Sequence, residues 1–580
     1  MKRLLPVLLA LALLLTGCQN AGQNEPDLKP QEPAGDAQTE NTASPAPVED
    51  AVKIVLSDEE ITVDGEAISG DTGEVVYAAN DIVFYLEGQD FTYGEGTETD
   101  AHCQNEADAH TVVHITQPGT YALSGKLSAG QIAVDLGEEA EEDPEAVVTL
   151  ILDGLDITCT VAPAVIFYNV YECGSKDTET ASETVDTTAA GANVIIADGT
   201  ENYVNGSYVA RIYKPDTVEL NAAGTEVADA KKLHKYDAAF YSKMSMNMDG
   251  GEVGSGVLRI DAENEGLDSE LHLTINGGNI YIESGNDGIN TNEDGVSVTT
   301  INGGWLGITV TGETGEGDGI DSNGWLVING GTVIAQACST SGDAGIDSDM
   351  GIYLNGGNVV AYGNMLDRIA GGDVNYAVFQ FADRQTGNVE NKTSYALKND
   401  DGFEYSVLPT NDFTYWLISN EDLTPGEYTL WRGDVQLAGV SGTAMGQMGN
   451  MPPPGGFDQQ PAMPDGPTMP EGSKPPEEME QQFQLNEDGT VTLPDGTIVD
   501  PSQMPQPGEG QMAPPGGVTM PEGQNPPVGQ TMPQSQTAPA EGGDRPGGNH
   551  FRGQMGEMEL STAFTIVPGG NYFTNVAPAS

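Results

Sequence analysis

Acidic and amide side chains recur at one point of a motif that repeats through the middle of the chain. The motif is an acidic residue, Gly, an aliphatic residue and then Asp or Asn, and it begins at Glu265, Asp287 and Asp318, with Ala344 in the acid's place in a fourth copy. Several oxygen ligands per site, from carboxylates and amides, are what Ca²⁺ takes in proteins. The predicted metal ligands are Glu265, Asp268, Asp287, Asn290, Asn292, Asp294, Asp318, Asp321, Asn323, Asp343, Asp347 and Asp349.

A solvated acidic turn edge is the alternative to a Ca²⁺ site at these positions. Asn290, Asn292 and Asp294, followed by Gly295, match the start of an EF-hand loop. The twelfth position of that loop is Ile301 where an EF-hand has a bidentate Glu, and no helical stretches flank it. The match therefore does not predict an EF-hand.

A second repeat, in phase with the first, indicates the element that positions these acids. The turn Ile-Asn-Gly-Gly occurs at Ile275–Gly278, Ile301–Gly304 and Ile328–Gly331, and Leu-Asn-Gly-Gly follows at Leu354–Gly357, in steps of 26, 27 and 26 residues. Two motifs sharing one such period indicate a supersecondary unit stacked on itself. Short apolar strands and glycine turns, without a helical stretch, predict an all-β fold whose unit is one coil of a parallel β-helix. Its coils would stack the acids about 4.8 Å apart, where like charges repel unless a cation lies among them.

Equivalent positions of the four coils form columns with different predicted roles. Two aliphatic columns should point into the core because strand side chains alternate between faces. They are Ile280, Leu306, Val333 and Val359, and then Ile282, Ile308, Ala335 and Ala361. A column of identical amides, predicted to form a structural ladder of hydrogen bonds rather than a ligand site, is Asn276, Asn302, Asn329 and Asn355.

The charge balance excludes one class of function. The 580 residues include 21 basic and 89 acidic side chains, for a net charge of −68. A nucleic-acid-binding protein needs Lys and Arg for phosphate contacts, so that class is excluded. Carboxylates in this number repel one another, which favours bound cations or a strongly solvated surface.

The N-terminus predicts export and a lipid anchor. A basic start, Met1–Arg3, precedes the apolar run Leu4–Leu15, which has the length of a signal-peptide core. The run ends in Leu-Thr-Gly-Cys18, which resembles a bacterial lipobox. Residues 1–18 are therefore predicted to be a lipoprotein signal peptide, with Cys18 lipidated and the protein held at the extracellular face of the cell membrane; an ordinary cleaved signal peptide is the alternative.

The rest of the chain is predicted to hold one folded domain and two segments without a core. Residues 19–50 are rich in Pro, Ala, Gln and Glu and predict a flexible linker. Residues 51–441 predict the β-helix domain, closed by strands that alternate as antiparallel strands do. Residues 442–556, dominated by Pro, Gly, Met and Gln, predict a disordered insertion, and residues 557–580 predict the final strand of the cap.

The cysteines do not indicate a zinc site, because no Cys-x-x-Cys spacing occurs. In an oxidising compartment Cys103, Cys159, Cys173 and Cys338 could form disulfides, and the sequence leaves their pairing open.

Four features together resemble a known family. They are Thr149–Ile157, Tyr236–Lys243, the repeated coils with their glycine turns, and Leu423–Leu430. They look like the clostridial carbohydrate-binding β-helix proteins, which bind cellulose and pectic polymers. The resemblance implies a right-handed parallel β-helix related in shape to pectate lyases, with bound Ca²⁺ on the acidic column and polysaccharide binding without cleavage. One departure is Tyr241, which stands where the later coils carry Asp or Asn.

The distribution of basic residues favours a binding protein over a lyase. β-Elimination on such a fold needs a Lys or Arg base, yet Ile260–Asp367 contains neither, which leaves Lys243, Arg259 and Arg368. We therefore predict a non-catalytic, monomeric, cell-surface protein that binds Ca²⁺ and acidic pectic polymers or cellulose-like glucans. A Ca²⁺-dependent polyuronate lyase and a surface adhesin or structural protein are the alternatives. The aromatic residues that could stack on sugars, or could be ordinary packing, are Tyr281, Trp305 and Trp325.

Overall fold

The structure is a computed structural model that describes residues 50–387, 393–442, 484–485, 491–492, 498–499 and 560–579. The predicted signal peptide with Cys18, nearly all of the linker 19–50 and most of the insertion 442–556 lie outside the described residues. The fold is all-β, as predicted. Its helical segments are single turns at Gln104–Ala107, Glu138–Glu142 and Pro215–Thr217, so the part of the chain described here holds no helix that could cross a membrane.

The chain divides into two units. The smaller unit, Asn450–Gly556, contains three short strands that pair antiparallel in chain order. These strands are Gln484–Leu485, Val491–Thr492 and Ile498–Val499. The larger unit is formed by Met1–Gly449 and Glu557–Ser580, and all that follows concerns this unit.

Three stacks of parallel strands, which we call the first, second and third ladders, build most of the larger unit. In the first ladder each strand pairs parallel with the next. Its strands are Val52–Leu56, Gly119–Leu127, Val148–Cys159, Ala192–Ile196, Met246–Gly250, His272–Ile275, Val298–Ile301, Trp325–Ile328, Gly351–Leu354 and Ile369–Gly372.

The second ladder begins on the later halves of two long strands of the first, Gly119–Leu127 and Val148–Cys159. It continues, again in parallel pairs, through Glu201–Gly206, Val257–Ala262, Asn279–Ser284, Trp305–Val310, Thr332–Gln336 and Asn358–Gly363.

The third ladder starts with one antiparallel pair, between Val76–Ala79 and Thr111–Ile115, and is parallel from there on. Its remaining strands are Gly130–Val134, Val165–Phe167, Ala238–Ser242, Glu265–Ser269, Ile289–Thr291 and Ile320–Ser322. In the regular coils the chain passes from the first ladder to the second and then to the third. This is the pairing that a parallel β-helix requires; the right-handed solenoid itself stays a prediction.

The glycine turns between the first and second ladders explain the repeated Gly-Gly. The second glycine of each turn, at Gly278, Gly304, Gly331 and Gly357, has a φ between +76° and +93°, which is costly for any residue with a Cβ. Stacking adds a second constraint, since a Cβ on Gly304 would lie 2.5 Å from the carbonyl oxygen of Gly278 in the preceding coil.

The predicted columns are confirmed. Ile280, Leu306, Val333 and Val359 pair in register and are at most 2% exposed, and the second aliphatic column is buried too. The amide ladder also forms, because each Asn donates from Nδ2 to Oδ1 of the Asn one coil earlier. These bonds measure 2.8 Å for Asn302 to Asn276, 2.9 Å for Asn329 to Asn302 and 2.9 Å for Asn355 to Asn329.

A predominantly antiparallel cap covers the last coil. Phe413–Ser419 pairs antiparallel with Asn358–Gly363, the last strand of the second ladder. Strands of the cap from both sides of the insertion meet: Gly439 and Ser561 exchange two backbone hydrogen bonds of 2.9 Å. Around a core of buried aromatic side chains the cap strands are Tyr376–Gln385, Tyr395–Asn399, Glu404–Val407, Phe413–Ser419, Gly426–Arg432, Val435–Gly442, Phe564–Ile566 and Gly570–Pro578.

Smaller elements complete the unit. Short antiparallel strands lie at Thr62–Val63, Glu66–Ala67, Glu219–Leu220 and Val227–Asp229.

Cys103, Cys159, Cys173 and Cys338 are all unpaired, so the structure contains no disulfide between these four residues.

Candidate functional site

The acidic motif places its side chains on the third ladder, one above another. Asp268, Asn290 and Asp321 pair in register on three successive strands, and the strand before them contributes Tyr241 at the same position. The Tyr241 hydroxyl donates to Oε1 of Glu270 at 2.9 Å. The predicted column therefore exists, and in its first rung a phenol replaces the acid.

Three carboxylates converge at the later end of this column, and we call Asp318, Asp321 and Asp347 the late acid cluster. One oxygen of each lies within 4.8 Å of one oxygen of each of the others. Asp318 keeps its position because its Oδ1 accepts the backbone N–H of Ala344 at 2.5 Å. Oδ1 of Asp347 is buried and has no hydrogen-bond partner. A set of oxygen ligands with one orphaned buried atom fits a hard cation such as Ca²⁺.

The electrostatics of the late acid cluster also favour a cation. Burial, reinforced by neighbouring carboxylates, raises the pKa of Asp318 to about 9 and the pKa values of Asp321 and Asp347 to about 7. Asp287 next to it has a pKa raised to about 7, mainly by burial. Among the described residues no Lys, Arg or His forms an ion pair with the cluster. A bound cation would offset both the cost of burying these groups as carboxylates and the repulsion between them.

An earlier group, the early acid cluster of Glu265, Asp268 and Asn290, is more deeply buried. Oε2 of Glu265, Oδ2 of Asp268 and Oδ1 of Asn290 are buried without a hydrogen-bond partner. The other carboxylate oxygens of Glu265 and Asp268 accept amide hydrogens. Asn290 donates to Oε1 of Glu265 at 3.1 Å, and Asn292 donates to Oδ1 of Asp268 at 2.6 Å. Burial is the first cause that raises the pKa values of Glu265 and Asp268 well above their ordinary range.

Two basic residues that sequence reasoning missed lie beside the early acid cluster. Lys235 donates from Nζ to Oδ1 of Asn292 at 2.5 Å, and its charge opposes the upward pKa shifts of Glu265 and Asp268. Arg211 pairs with Asp237 at 3.0 Å. Both precede the regular coils in sequence. The sequence feature that could have identified Lys235 is its position directly before Tyr236–Lys243, one of the four features that resemble the known family.

The remaining predicted ligands lie around the two clusters and have other partners. Oδ2 of Asp343 accepts the N–H of Gly317 at 2.6 Å, so this carboxylate stabilises a turn. Asn323 donates to Oδ1 of Asp294 at 3.2 Å, and both Asp294 and Asp349 are exposed.

The three aromatic candidates lie in different environments. Tyr281 and Trp305 pack against each other on the outer face of the second ladder, with ring centroids 4.4 Å apart and ring planes tilted by 35°. The guanidinium of Arg259 covers the Tyr281 ring at 4.4 Å, so this ring is held between two neighbours. Trp325 is 8% exposed and packs beneath the loop that carries Val185. Its ring therefore has almost no surface to offer a sugar.

The basic residues proposed from sequence as lyase bases do not lie in the acid clusters. Lys243 pairs with Glu141 at 2.6 Å. Arg368 donates to the carbonyl oxygen of Met350 at 2.6 Å, and Arg259 lies on the second ladder. Of the basic side chains described, Lys235 is the one that donates a hydrogen bond to a predicted metal ligand, Asn292.

Part of the chain is similar to proteins that are described as carbohydrate-binding. Residues 109–366 match the family model described as carbohydrate-binding domain-containing protein, a segment that contains both acid clusters. A carbohydrate-binding domain-containing protein of Acetivibrio thermocellus is 28% identical over 173 residues. That alignment covers 30% of this chain and 45% of the relative, less than half of the relative's length.

A solved structure described as a polysaccharide lyase-like protein from C. thermocellum, a gadolinium derivative, is also similar to this chain. It is 21% identical, and the alignment covers 56% of this chain and 99% of the other. The TM-score is 0.28.

Proposed function

We propose that this chain is a non-catalytic, Ca²⁺-dependent polysaccharide-binding protein of the bacterial cell surface. The observation that carries the proposal is the late acid cluster, within a segment that matches a carbohydrate-binding family. Its three carboxylates are partly exposed. A Ca²⁺ held there would keep coordination positions open on the solvent side, where the carboxylate of a uronate polymer supplies further oxygen ligands.

Charge explains why the cation is needed. A chain with a net charge of −68 repels a pectic polymer. Ca²⁺ bound at the late acid cluster lowers the local negative charge and bridges the protein carboxylates and those of the polymer. The early acid cluster, with three orphaned oxygens, would hold a second ion with a mainly structural role, because its residues are almost fully buried. The proposed scaffold for both is a right-handed parallel β-helix, supported by the three parallel ladders.

The decisive experiment is a pull-down on insoluble polygalacturonate in Ca²⁺ and in EDTA. We expect binding in Ca²⁺, its loss in EDTA, and its loss in Asp321→Asn even with Ca²⁺ present. Asp261→Asn is the matched control, since Asp261 is an exposed acid on the second ladder. Equal binding with and without chelator would refute the Ca²⁺ bridge.

The anchor is tested separately, because Cys18 lies outside the described residues. The proposal includes a lipid on Cys18 that holds the protein on the membrane. We expect the protein expressed with its own N-terminus to partition into detergent, and the Cys18→Ser variant to remain in the aqueous phase.

Lys235 keeps the lyase alternative open to test. Lys235 lies beside the early acid cluster. A base for β-elimination has to lie within reach of the bound polymer. Incubation with polygalacturonate and Ca²⁺ at alkaline pH should give no unsaturated product. Sustained release that disappears in Lys235→Gln would replace the binding function with a lyase.

A further inference from the structure

The cap contains an open cavity of about 220 Å³ that brings two arginines together. Its lining is Arg384, Gln385, Thr386, Thr393, Tyr395 and Arg432. Lys and Arg number 21 in the chain against 89 acidic residues, so two guanidinium groups around one cavity run against the charge of the molecule. This cavity is built by the cap strands and shares no residue with either acid cluster.

Buried hydrogen bonds fix one of the two arginines. Tyr395 and Arg432 are directly opposite each other on an antiparallel pair of strands. Between them lies Gln385, 7% exposed, whose Oε1 accepts from Arg432 at 2.8 Å and from the Tyr395 hydroxyl at 3.1 Å. The other end of Gln385 is also satisfied, since its Nε2 donates to the carbonyl of Asp383 at 2.6 Å. The Arg432 guanidinium is therefore held in place before any ligand arrives.

A strand irregularity presents the second arginine. The pairing of Tyr376–Gln385 with Phe413–Ser419 shifts between Gln380 and Gln385, and Arg384 lies in the extra segment. Such bulges re-aim side chains and are frequent beside binding sites. Asp412 forms an ion pair with Arg384, at 3.7 Å from its Nε, which is too long for a hydrogen bond.

In the part of the chain that the structure describes, the charge of Arg432 is not compensated. Among the described residues no carboxylate lies within ion-pair distance of Arg432. Two guanidinium groups favour a carboxylate as ligand because each can offer parallel N–H donors. The hydroxyl groups of Thr386 and Thr393 can exchange hydrogen bonds with ligand hydroxyls. A uronic acid carries both one carboxylate and several hydroxyls, and it is the form in which acidic polysaccharides present this combination.

We propose that this cavity binds one uronate residue of an acidic polysaccharide, with the carboxylate between Arg384 and Arg432. The proposal deepens the proposed function, on which it rests for the class of polymer. It adds a site that needs no metal. The acid clusters would hold the polymer through Ca²⁺, whereas the cap would recognise a uronate directly.

The test is calorimetric titration of the full chain with tri-galacturonate in EDTA, which removes the Ca²⁺-dependent contribution. We expect measurable binding by the wild type, and an affinity reduced about tenfold or more in Arg432→Gln and in Arg384→Gln. Arg384 is exposed, so its variant tests the site even where Arg432→Gln disturbs the cap. Lys126→Gln, which removes an exposed basic side chain outside the cap and the acid clusters, is the control and should keep the wild-type affinity.

Three outcomes would overturn the proposal. They are no binding of tri-galacturonate in EDTA, unchanged affinity in both cap variants, and equal affinity for cellotriose, which has no carboxylate. Each leaves the polygalacturonate pull-down in Ca²⁺ as a separate measurement. Failure of the cap site is thereby distinguished from failure of the proposed function.

Discussion

Lys235 donates a hydrogen bond of 2.5 Å to Asn292. Because of this contact, the early and late acid clusters differ in their electrostatic environment. Asn292 in turn donates to Asp268, so the ammonium group is one side chain away from the early acid cluster. The late acid cluster, two coils further on, has no described basic partner. The chain itself supplies one positive charge beside the early acid cluster, whereas the late acid cluster relies on a cation alone.

Ca²⁺ should therefore stabilise the protein through the late acid cluster. At Ca²⁺ concentrations about 100 times the dissociation constant, we expect a gain of about 2.7 kcal/mol in unfolding free energy for one site, seen as a higher Tm by scanning calorimetry. Asp321→Asn should remove most of that gain, while Asp261→Asn should keep it. A Tm that does not respond to Ca²⁺ would rule out the site.

The metal-free protein should lose stability as the pH rises. Burial raises the pKa of Asp321 from 3.8 to about 7 in the folded state, so between these values the folded state keeps a proton that the unfolded state has released. Stability then falls with increasing pH. In EDTA, Asp321→Asn should be more stable than the wild type at pH 9, by a margin about 3 kcal/mol larger than at pH 5.

Calcium should reverse that order at pH 9, because only the carboxylate form of Asp321 binds the metal. Thermal melts of both proteins at pH 5 and pH 9, in EDTA and in Ca²⁺, give all the needed comparisons. A variant less stable than the wild type at pH 9 in EDTA would show that Asp321 is stabilised as a carboxylate by other groups.

Removal of the Lys235 charge should make the early acid cluster more dependent on added cations. Lys235→Gln leaves Glu265 and Asp268 buried without the charge that opposes their pKa shifts. We expect a loss of about 1–3 kcal/mol in EDTA at pH 8 and a larger Tm increase on adding Ca²⁺ than the wild type shows. Lys126→Gln, a control that removes an exposed ion pair with Asp156, should cost less than about 1 kcal/mol.

Glycine turns should differ in sensitivity according to their stacking. Gly304→Ala places a Cβ 2.5 Å from a backbone oxygen of the preceding coil, in addition to the cost of a positive φ. We expect a loss of about 3 kcal/mol or more in urea unfolding. Gly295→Ala has a φ of +67° but no atom within 4 Å of the new Cβ, so its loss should be about 1 kcal/mol. Equal losses would show that the coils do not constrain the turn.

The repeat allowed the sequence to predict what depends on local periodicity. The aliphatic columns, the amide ladder and the stacking of Asp268 with Asn290 and Asp321 all follow from residues that recur once per coil. Side chains without a repeated partner could not be placed. Lys235 is hydrogen-bonded to Asn292, 57 residues away in sequence. Arg384 lines the same cavity as Arg432 because of a strand irregularity that the sequence composition does not reveal.

The burial of Trp325 also could not be predicted from the repeat. Its position in a strand is part of the repeat, but its exposure is decided by an irregular polar loop that returns over the first ladder. Val185 in that loop packs on the same small cluster, nearly 140 residues away in sequence. A residue's place in a column predicts which face its side chain occupies, whereas segments outside the repeat decide what covers that face.

The paired backbone bonds between Gly439 and Ser561 have a consequence for how this protein can change over evolutionary time. They join the two sides of the insertion within the cap, so the long Pro-, Gly- and Met-rich tract starts and ends at one fixed place. The entropic cost of closing such a loop grows only with the logarithm of its length. Descendants of this sequence can therefore shorten, duplicate or exchange the tract with little thermodynamic penalty to the cap.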